Sequence, residues 1–154
     1  MGISLAKAST QFSRPVRNFS TGASKKRKYV MAIDQGTTSS RVLLIDQDLK
    51  IIDSASREHE QISHHPGWCE HDPMVIYRNV VECQNEVIER NRGELVNCDG
   101  SSNVRAIGIT NQRETTVAWN KHTGEPLHNA VVWLDTRTAD IVARLNKEHG
   151  ETAI

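Results

Sequence analysis

The sequence has few cysteines, no long apolar run and no Walker-type phosphate loop. Its three cysteines, Cys69, Cys83 and Cys98, are unevenly spaced and form no CxxC pair, which predicts reduced thiols rather than a disulfide framework. No apolar run approaches the length of a membrane span, so we expect no transmembrane segment. The pattern GxxxxGK followed by Ser or Thr is absent, which excludes the P-loop as a means of binding phosphate.

Acidic residues are absent from residues 1–28, which carry seven Lys or Arg. This segment is rich in Ser, Arg and Lys and contains no strand-like apolar run, a composition typical of a mitochondrial transit peptide. Its string Arg17-Asn18-Phe19-Ser20 resembles a cleavage context of that class. We therefore expect residues 1–28 to be a disordered basic leader that directs the chain to mitochondria. The alternative is an ordinary basic tail, or a nuclear signal, on a cytoplasmic or nuclear protein.

The rest of the chain is acidic, although the whole sequence is formally neutral. From Tyr29 onward it carries twelve basic and nineteen acidic residues. Nucleic-acid binding needs a basic surface, so nucleic acid is not expected as a partner. The histidines lack the spacing of metal ligands, and His59 and His71 are expected at the surface.

Three short apolar runs predict three strands joined by tight turns. They cover residues 29–34, 41–46 and 51–61, the last becoming polar along its length. The connections are too short for a crossover helix, so the strands should form an antiparallel meander.

Residues 63–73 hold two prolines, a glycine and several polar residues and are expected to form a loop. A helix should begin at its end, because Asp72 and Pro73 form a typical helix start. Apolar residues then recur every three to four positions through residues 74–91. The remaining predicted elements are a strand at 103–110, a hairpin of strands 115–120 and 128–135, and a helix at 136–150. This order indicates a mixed α/β fold rather than a simple alternation of strands and helices.

The first turn, defined here as residues 34–41 with sequence DQGTTSSR, combines an acid, a glycine and four hydroxyls. Asp34, at the end of the first strand, can hold Mg²⁺ directly or through water. Gly36 is expected to take a positive φ and let the backbone approach a ligand. The candidate ligands of anionic oxygens are Thr37, Thr38, Ser39 and Arg41. Alone, these residues are equally consistent with a hairpin rich in hydroxyls.

Four motifs, in order, resemble the FGGY carbohydrate-kinase family. They are AIDQGTTSSRVLLID, GWCEHDP, AIGITNQRETTVAW and TGEPLHNAVVWLDTRT, and the resemblance covers about residues 29–144. The first motif also resembles the phosphate-binding hairpin of actin and Hsp70. The resemblance implies an α/β, ribonuclease H-like fold of the actin/Hsp70/sugar-kinase type, with a mixed sheet and flanking helices. Residues 29–154 would then be part of the N-terminal domain and an incomplete first lobe.

The resemblance also implies ATP and Mg²⁺ as cofactors, with Asp34 at the metal and the hydroxyls and arginine of the first turn at the nucleotide phosphates. Within the family the glycerol-phosphorylating members are most similar, and their polyol contacts fall on Arg113, Glu114 and Trp133. Adjacent strand residues point to opposite faces. Arg113 and Glu114 can therefore both face a ligand only if the strand has ended or bulged, which we predict.

The implied activity is the ATP-dependent phosphorylation of glycerol to glycerol 3-phosphate. The family's catalytic base aligns with no residue of this sequence, so no catalytic residue is assigned and the chain alone is expected to be inactive or nearly so. One alternative is another FGGY sugar kinase. The other is a non-catalytic short form that binds a full-length kinase subunit or forms a homo-oligomer. An actin-like scaffold would share only the first turn.

Overall fold

The computed structural model describes residues 27–150, which form a four-stranded mixed sheet and a second, two-stranded sheet. The elements are β1 (Tyr29–Gln35), β2 (Ser39–Asp46), β3 (Ile51–Glu58), β4 (Glu70–His71), α1 (Pro73–Arg90), α2 (Arg92–Leu95), β5 (Val104–Asn111), β6 (Ala130–Val131) and α3 (Ala139–His149). All but the last two residues of the predicted basic leader lie outside the described residues.

The main sheet has the strand order β3-β2-β1-β5. The first three strands pair antiparallel, which confirms the predicted meander, and β5 lies parallel to β1. A parallel neighbour requires a long connection, and α1 and α2 precede β5 in the chain. The carboxyl ends of β1 and β5 therefore meet at one edge of the sheet, where Asp34 aligns with Thr110 and Gln35 with Asn111.

The apolar core lies between one face of the meander and α1. Alternate residues of β1 and β2 point into it, as the twofold period of a strand requires. Helix α1 begins as predicted, with the Asp72 carboxylate accepting a hydrogen bond from the Met74 amide at 2.7 Å. The buried members of the core are Tyr29, Met31, Ile33, Val42, Leu44, Ala55, Cys83, Val87 and Leu95.

The chain between β5 and α3 contains less strand than the sequence predicts. The predicted strands 115–120 and 128–135 are reduced to the isolated bridges Thr116–Val131 and Trp119–Pro126 and to the two residues of β6. Strand β6 pairs with β4, which the sequence analysis placed in a loop. A two-residue pairing between segments sixty residues apart leaves no periodic pattern in the sequence, so that prediction was wrong.

Strand β5 and helix α3 are poorly covered within residues 27–150. Strand β5 is the outer strand of its sheet, and its Ile107 and Ile109 are 50% and 73% exposed. Helix α3 contains no fully buried residue. Among the described helices, none combines the length and the hydropathy that crossing a bilayer would require.

Candidate functional site

A hollow opens where β1 and β5 end side by side. It is lined by residues 34–37 of the first turn, by residues 111–114 at the end of β5, and by Trp133. The backbone amide of Gln112 donates to the Gln35 carbonyl at 2.7 Å and joins the two lining segments directly. Asp34 and Glu114, more than seventy residues apart in sequence, therefore share one hollow.

The first turn is closed by a bond from the Gly36 amide to the Ser39 carbonyl at 2.9 Å. Gly36 does not have a positive φ, so that expectation was wrong. Glycine suits the position for another reason: a Cβ there would lie 3.2 Å from the Ser39 carbonyl oxygen. The turn is therefore tight because its own backbone approaches closely.

The candidate phosphate ligands occupy different parts of the first turn. Thr37 lines the hollow, whereas Thr38, Ser39 and Arg41 are not among its lining residues. Thr38 and Arg41 are exposed, and Ser39 is half-buried. Arg41 pairs directly with Asp34 across the β1–β2 ladder, which places both side chains on one face of the sheet. The guanidinium is thus on the same face as the acid predicted to hold the metal.

The strand ends before Arg113 and Glu114, as predicted. Strand β5 stops at Asn111, and Glu114 has a φ of 64°, in the left-handed region that non-glycine residues rarely adopt. This break lets both side chains line the hollow. Strained backbone of this kind clusters at functional sites and supports a functional role for the turn.

Trp133 stands at the side of the hollow and is half exposed. Its indole Nε1 donates to the Thr37 hydroxyl at 2.9 Å, and its backbone amide donates to the Thr115 hydroxyl at 3.4 Å. The residue expected to contact the polyol is thus bonded to a residue expected to contact the nucleotide.

Two buried histidines, His59 and His71, contact the first turn and Gln112. The prediction that they lie at the surface was wrong. His59 is 8% and His71 1% exposed. The His59 amide donates to the Thr38 carbonyl at 2.8 Å, and its Nε2 lies 3.2 Å from the Ser40 hydroxyl. Burial lowers the pKa of both imidazoles, and for His59 the nearby His71 adds to the effect. The strand alternation that buries Ala55 also reaches His59, which is the signal that the sequence analysis missed.

His71 connects to the other lining segment through Gln112. Its Nδ1 lies 3.4 Å from the Gln112 side-chain nitrogen, and the Thr115 hydroxyl donates to the Gln112 side-chain oxygen at 2.9 Å. Gln112 is itself buried. The contacts of the Gln112 side chain with His71 and Thr115 therefore hold the adjacent Arg113–Glu114 turn in position.

Arg137 anchors the chain that follows Trp133. Its guanidinium contacts the Glu70 carboxylate at 2.6 Å and the Asp135 carboxylate at 2.8 Å, and it lies 3.9 Å from the centre of the Trp68 ring. Both carboxylate side chains are at least 97% buried. Hydrogen bonds from Arg137 lower the pKa of both acids. No local sequence pattern indicates this clamp, because Arg137 and Glu70 lie 67 residues apart.

The lining residues fit a Mg²⁺ ion held together with phosphate. Asp34 and Glu114 are the two carboxylates that line the hollow. Mg²⁺ usually binds through one or two carboxylates, with water and substrate phosphates completing its shell. No cluster of three or more His, Cys, Asp or Glu suited to a metal occurs within residues 27–150, so an all-protein metal cage is not found there.

Comparison with known proteins gives a consistent result. Residues 29–154 match the FGGY family of carbohydrate kinases, N-terminal domain. Glycerol kinase of Corynebacterium glutamicum (strain R) is 48% identical over 129 residues, which are 83% of this chain and 24% of that protein. Glycerol kinase of Escherichia coli O81 (strain ED1a) is 48% identical over 130 residues, 84% of this chain and 24% of that protein. The chain thus spans about a quarter of the length of these curated relatives.

Solved structures of carbohydrate kinases also match this chain. The crystal structure of Plasmodium falciparum glycerol kinase with ADP matches with a TM-score of 0.70 and 40% identity, over 80% of this chain and 24% of that one. Xylulose kinase from Rhodospirillum rubrum matches with a TM-score of 0.65 and 27% identity, over 79% and 23%. The predicted fold class is confirmed: a ribonuclease H-like α/β fold with a mixed sheet and flanking helices.

Proposed function

Because the chain belongs to the FGGY family of carbohydrate kinases, we propose that it supplies the phosphate and polyol contacts of an ATP-dependent glycerol kinase, which forms glycerol 3-phosphate. One observation carries the proposal: the hollow brings Asp34 and Thr37 of the first turn together with Arg113, Glu114 and Trp133. The glycerol kinase of Corynebacterium glutamicum is 48% identical over the 129 matched residues, whereas the xylulose kinase structure is 27% identical over its matched part. This difference supports glycerol over a pentulose.

The three polyol-side residues suit a small triol. A guanidinium only donates hydrogen bonds and a carboxylate only accepts them, whereas an alcohol does both. Arg113 and Glu114 can therefore bind neighbouring hydroxyls in complementary ways. Trp133 presents an apolar ring against which a carbon chain can pack.

The residues of the first turn suit a nucleotide phosphate and its metal ion. Asp34 would hold Mg²⁺ directly or through water, and the phosphates would be bound by Thr37, Thr38, Ser39 and Arg41. When bound, Mg²⁺ neutralises charge on the phosphoryl group during transfer. The chain's own residues contribute the hydroxyl donors of the first turn and the guanidinium of Arg41, which lies on the face that carries Asp34.

We assign no catalytic base within the hollow. Its two carboxylates, Asp34 and Glu114, are already assigned to metal and polyol. Phosphoryl transfer also needs a closed site from which water is excluded. The chain by itself should therefore release little or no ADP in a glycerol-dependent manner. A coupled assay of the 154-residue chain tests this, and turnover near that of a complete kinase would refute it.

Equilibrium binding tests the substrate assignment. Glycerol and xylulose are titrated into the chain and into the Glu114→Gln variant. Glu125→Gln is the control, because Glu125 is an exposed acid on a different turn. Loss of hydrogen bonds to a charged group should weaken glycerol binding by roughly ten- to a hundredfold in Glu114→Gln and leave the control unchanged. A preference for xylulose would favour another FGGY sugar kinase, and an unaffected Glu114→Gln would exclude the polyol role of that residue.

A non-catalytic partner role is the second candidate. The outer edge of β5 has no partner strand among the described residues, and Ile107 and Ile109 are exposed. This favours a partner role because open strand edges pair with other chains. The proposed partner is a full-length kinase subunit or a second copy of this chain. Light scattering and capture with purified full-length glycerol kinase test it. A monomer that captures nothing excludes this candidate.

For residues 1–28 we propose mitochondrial targeting, supported by their composition alone. The test is a fluorescent reporter carrying this leader. Import should fail when Arg14 and Arg17 are changed to Gln, because transit peptides depend on their basic residues. A cytoplasmic reporter with the intact leader would favour the cytoplasmic alternative.

A further inference from the structure

Within residues 27–150, a single side-chain hydrogen bond crosses the hollow, from Trp133 on the proposed polyol side to Thr37 on the proposed nucleotide side. It joins the indole Nε1 of Trp133 to the hydroxyl oxygen of Thr37, 96 residues away, at 2.9 Å. Both residues line the hollow. The two proposed subsites are therefore in direct contact.

The chemistry of the two groups fixes the direction of this bond. An indole N–H is a donor only, whereas a hydroxyl has one proton to donate and two lone pairs to accept with. Thr37 must therefore be the acceptor, and its own proton remains available for a second bond. That proton belongs to the first turn, where the proposed function places phosphoryl oxygens.

The bond also determines how the indole ring is held. The backbone of Trp133 is fixed by Thr115, and the chain beyond it by Arg137. The ring itself is half exposed, and within residues 27–150 its polar partner is Thr37. Without this bond the ring would be free to turn away from the polyol position while its backbone stayed in place.

We propose that Thr37 is a positioning residue that couples the two subsites. A phosphoryl oxygen accepts the Thr37 hydroxyl proton, and the polarised hydroxyl oxygen becomes a stronger acceptor for the Trp133 indole, since chained hydrogen bonds reinforce one another. The ring is then held in the orientation that packs against the polyol. Coupling between binding sites is reciprocal, so polyol binding also favours the anion. This inference rests on the proposed function.

Its first test needs no ligand. The 154-residue chain is labelled with ¹⁵N, and Trp133→Phe identifies the Trp133 indole signal among three tryptophans. Thr37→Ser keeps the hydroxyl, whereas Thr37→Val removes it at nearly constant shape. The indole N–H should exchange with water about two- to tenfold faster in Thr37→Val and should be unchanged in Thr37→Ser. Equal exchange in both variants would overturn the positioning role.

The second test measures the coupling with MgATP and glycerol as probes. Saturating MgATP should move the Trp133 indole signal and tighten glycerol binding about two- to tenfold in wild type and Thr37→Ser. Thr37→Val loses one proposed phosphate contact, so its MgATP concentration is raised until the response of its first-turn amides saturates. At that saturation it should still lose both effects. The indoles of Trp68 and Trp119 serve as internal references, because neither lines the hollow.

The outcomes separate this inference from the proposed function. If MgATP moves the first-turn amides but neither the indole signal nor the glycerol affinity, the coupling is wrong and the proposed function stands. If MgATP moves none of these amides, the nucleotide role of the turn is wrong. The ligand-free comparison of Thr37→Val with Thr37→Ser then decides whether Thr37 positions the ring.

Discussion

The two sides of the hollow are held in place by different interactions. The first turn lies at the end of β1 and β2, which with β3 and the helices α1 and α2 supply all the buried residues of the core cluster. The proposed polyol side, defined here as residues 111–137, buries only Ala130 and Val132 among its apolar residues. It is fixed instead by the Arg137 clamp and by the Gln112 contacts.

The proposed nucleotide side, which is the first turn, and the proposed polyol side should therefore respond to different perturbations. Apolar burial is non-directional and scales with area, so it gives the meander global stability. Ion pairs and hydrogen bonds depend on geometry and protonation, so the polyol side should loosen locally when one partner is removed. Substitutions in the core and in the Arg137 clamp should separate the two responses.

Leu44→Ala should have the largest effect on global stability. Leu44 is fully buried between the meander and α1, and removing its side chain leaves a cavity. The free energy of unfolding should fall by about 2–5 kcal/mol in urea denaturation. The control is Ile109→Ala, which truncates a residue that is 73% exposed and should change stability by about 0.5 kcal/mol or less. Similar losses in both variants would show that the core is not where the structure places it.

Arg137→Met should loosen the polyol side while the meander keeps its protection. The change keeps an unbranched stem but removes the guanidinium, which leaves the buried Glu70 and Asp135 carboxylates without their cation. Hydrogen exchange of residues 112–137 should accelerate by at least about tenfold, with β1 and β2 amides unchanged. Arg92→Met is the matched control, because the Arg92–Glu89 pair is exposed. Uniform acceleration over both regions would mean that they unfold as one unit.

Stability should fall as the pH drops below about 6.5, the ordinary pKa of histidine. Burial lowers the folded-state pKa of His59 and His71, so the unfolded chain binds protons first. The lost stability is at most about 1.4 kcal/mol per pH unit for each histidine. A further loss is expected below about pH 4, where Glu70, with its lowered pKa, becomes protonated in the unfolded chain.

Histidine variants identify the source of this pH dependence. His59→Gln should reduce the difference between urea denaturation at pH 7.5 and pH 5.5, whereas His122→Gln, at an exposed site, should not. The free energies of unfolding at the two pH values are compared within each variant. Any loss of stability that the substitution causes equally at both pH values therefore cancels. An unchanged pH dependence in His59→Gln would assign the effect to other groups.

Gly36→Ala should have the smallest effect on stability. The added Cβ would lie 3.2 Å from the Ser39 carbonyl, so the first turn must widen by a few tenths of an ångström. We expect a loss of about 1 kcal/mol or less in thermal unfolding. Gly108→Ala on β5 is the control, since its Cβ would meet no atom within 4 Å. Equal effects at the two positions would show that the turn is not tightly packed.

The parts of the fold and site that follow from local sequence were predictable. The strand–turn–strand around Asp34, the helix start at Asp72 and the end of β5 before Arg113 each depend on a few neighbouring residues. The β4–β6 pairing and the Arg137 clamp join segments more than fifty residues apart, and no local pattern reports them. For the same reason, the burial of His71 was not predicted.

The most direct test of the central claim replaces Mg²⁺ with paramagnetic Mn²⁺ and follows the ¹⁵N-labelled chain with MnATP. The account predicts that signals broaden in residues 34–41 and in residues 111–114, together with the Trp133 indole, while α3 and the turn at 120–125 are unaffected. Broadening of the first turn without residues 111–114, or broadening centred elsewhere in the chain, would contradict a shared site for nucleotide and polyol.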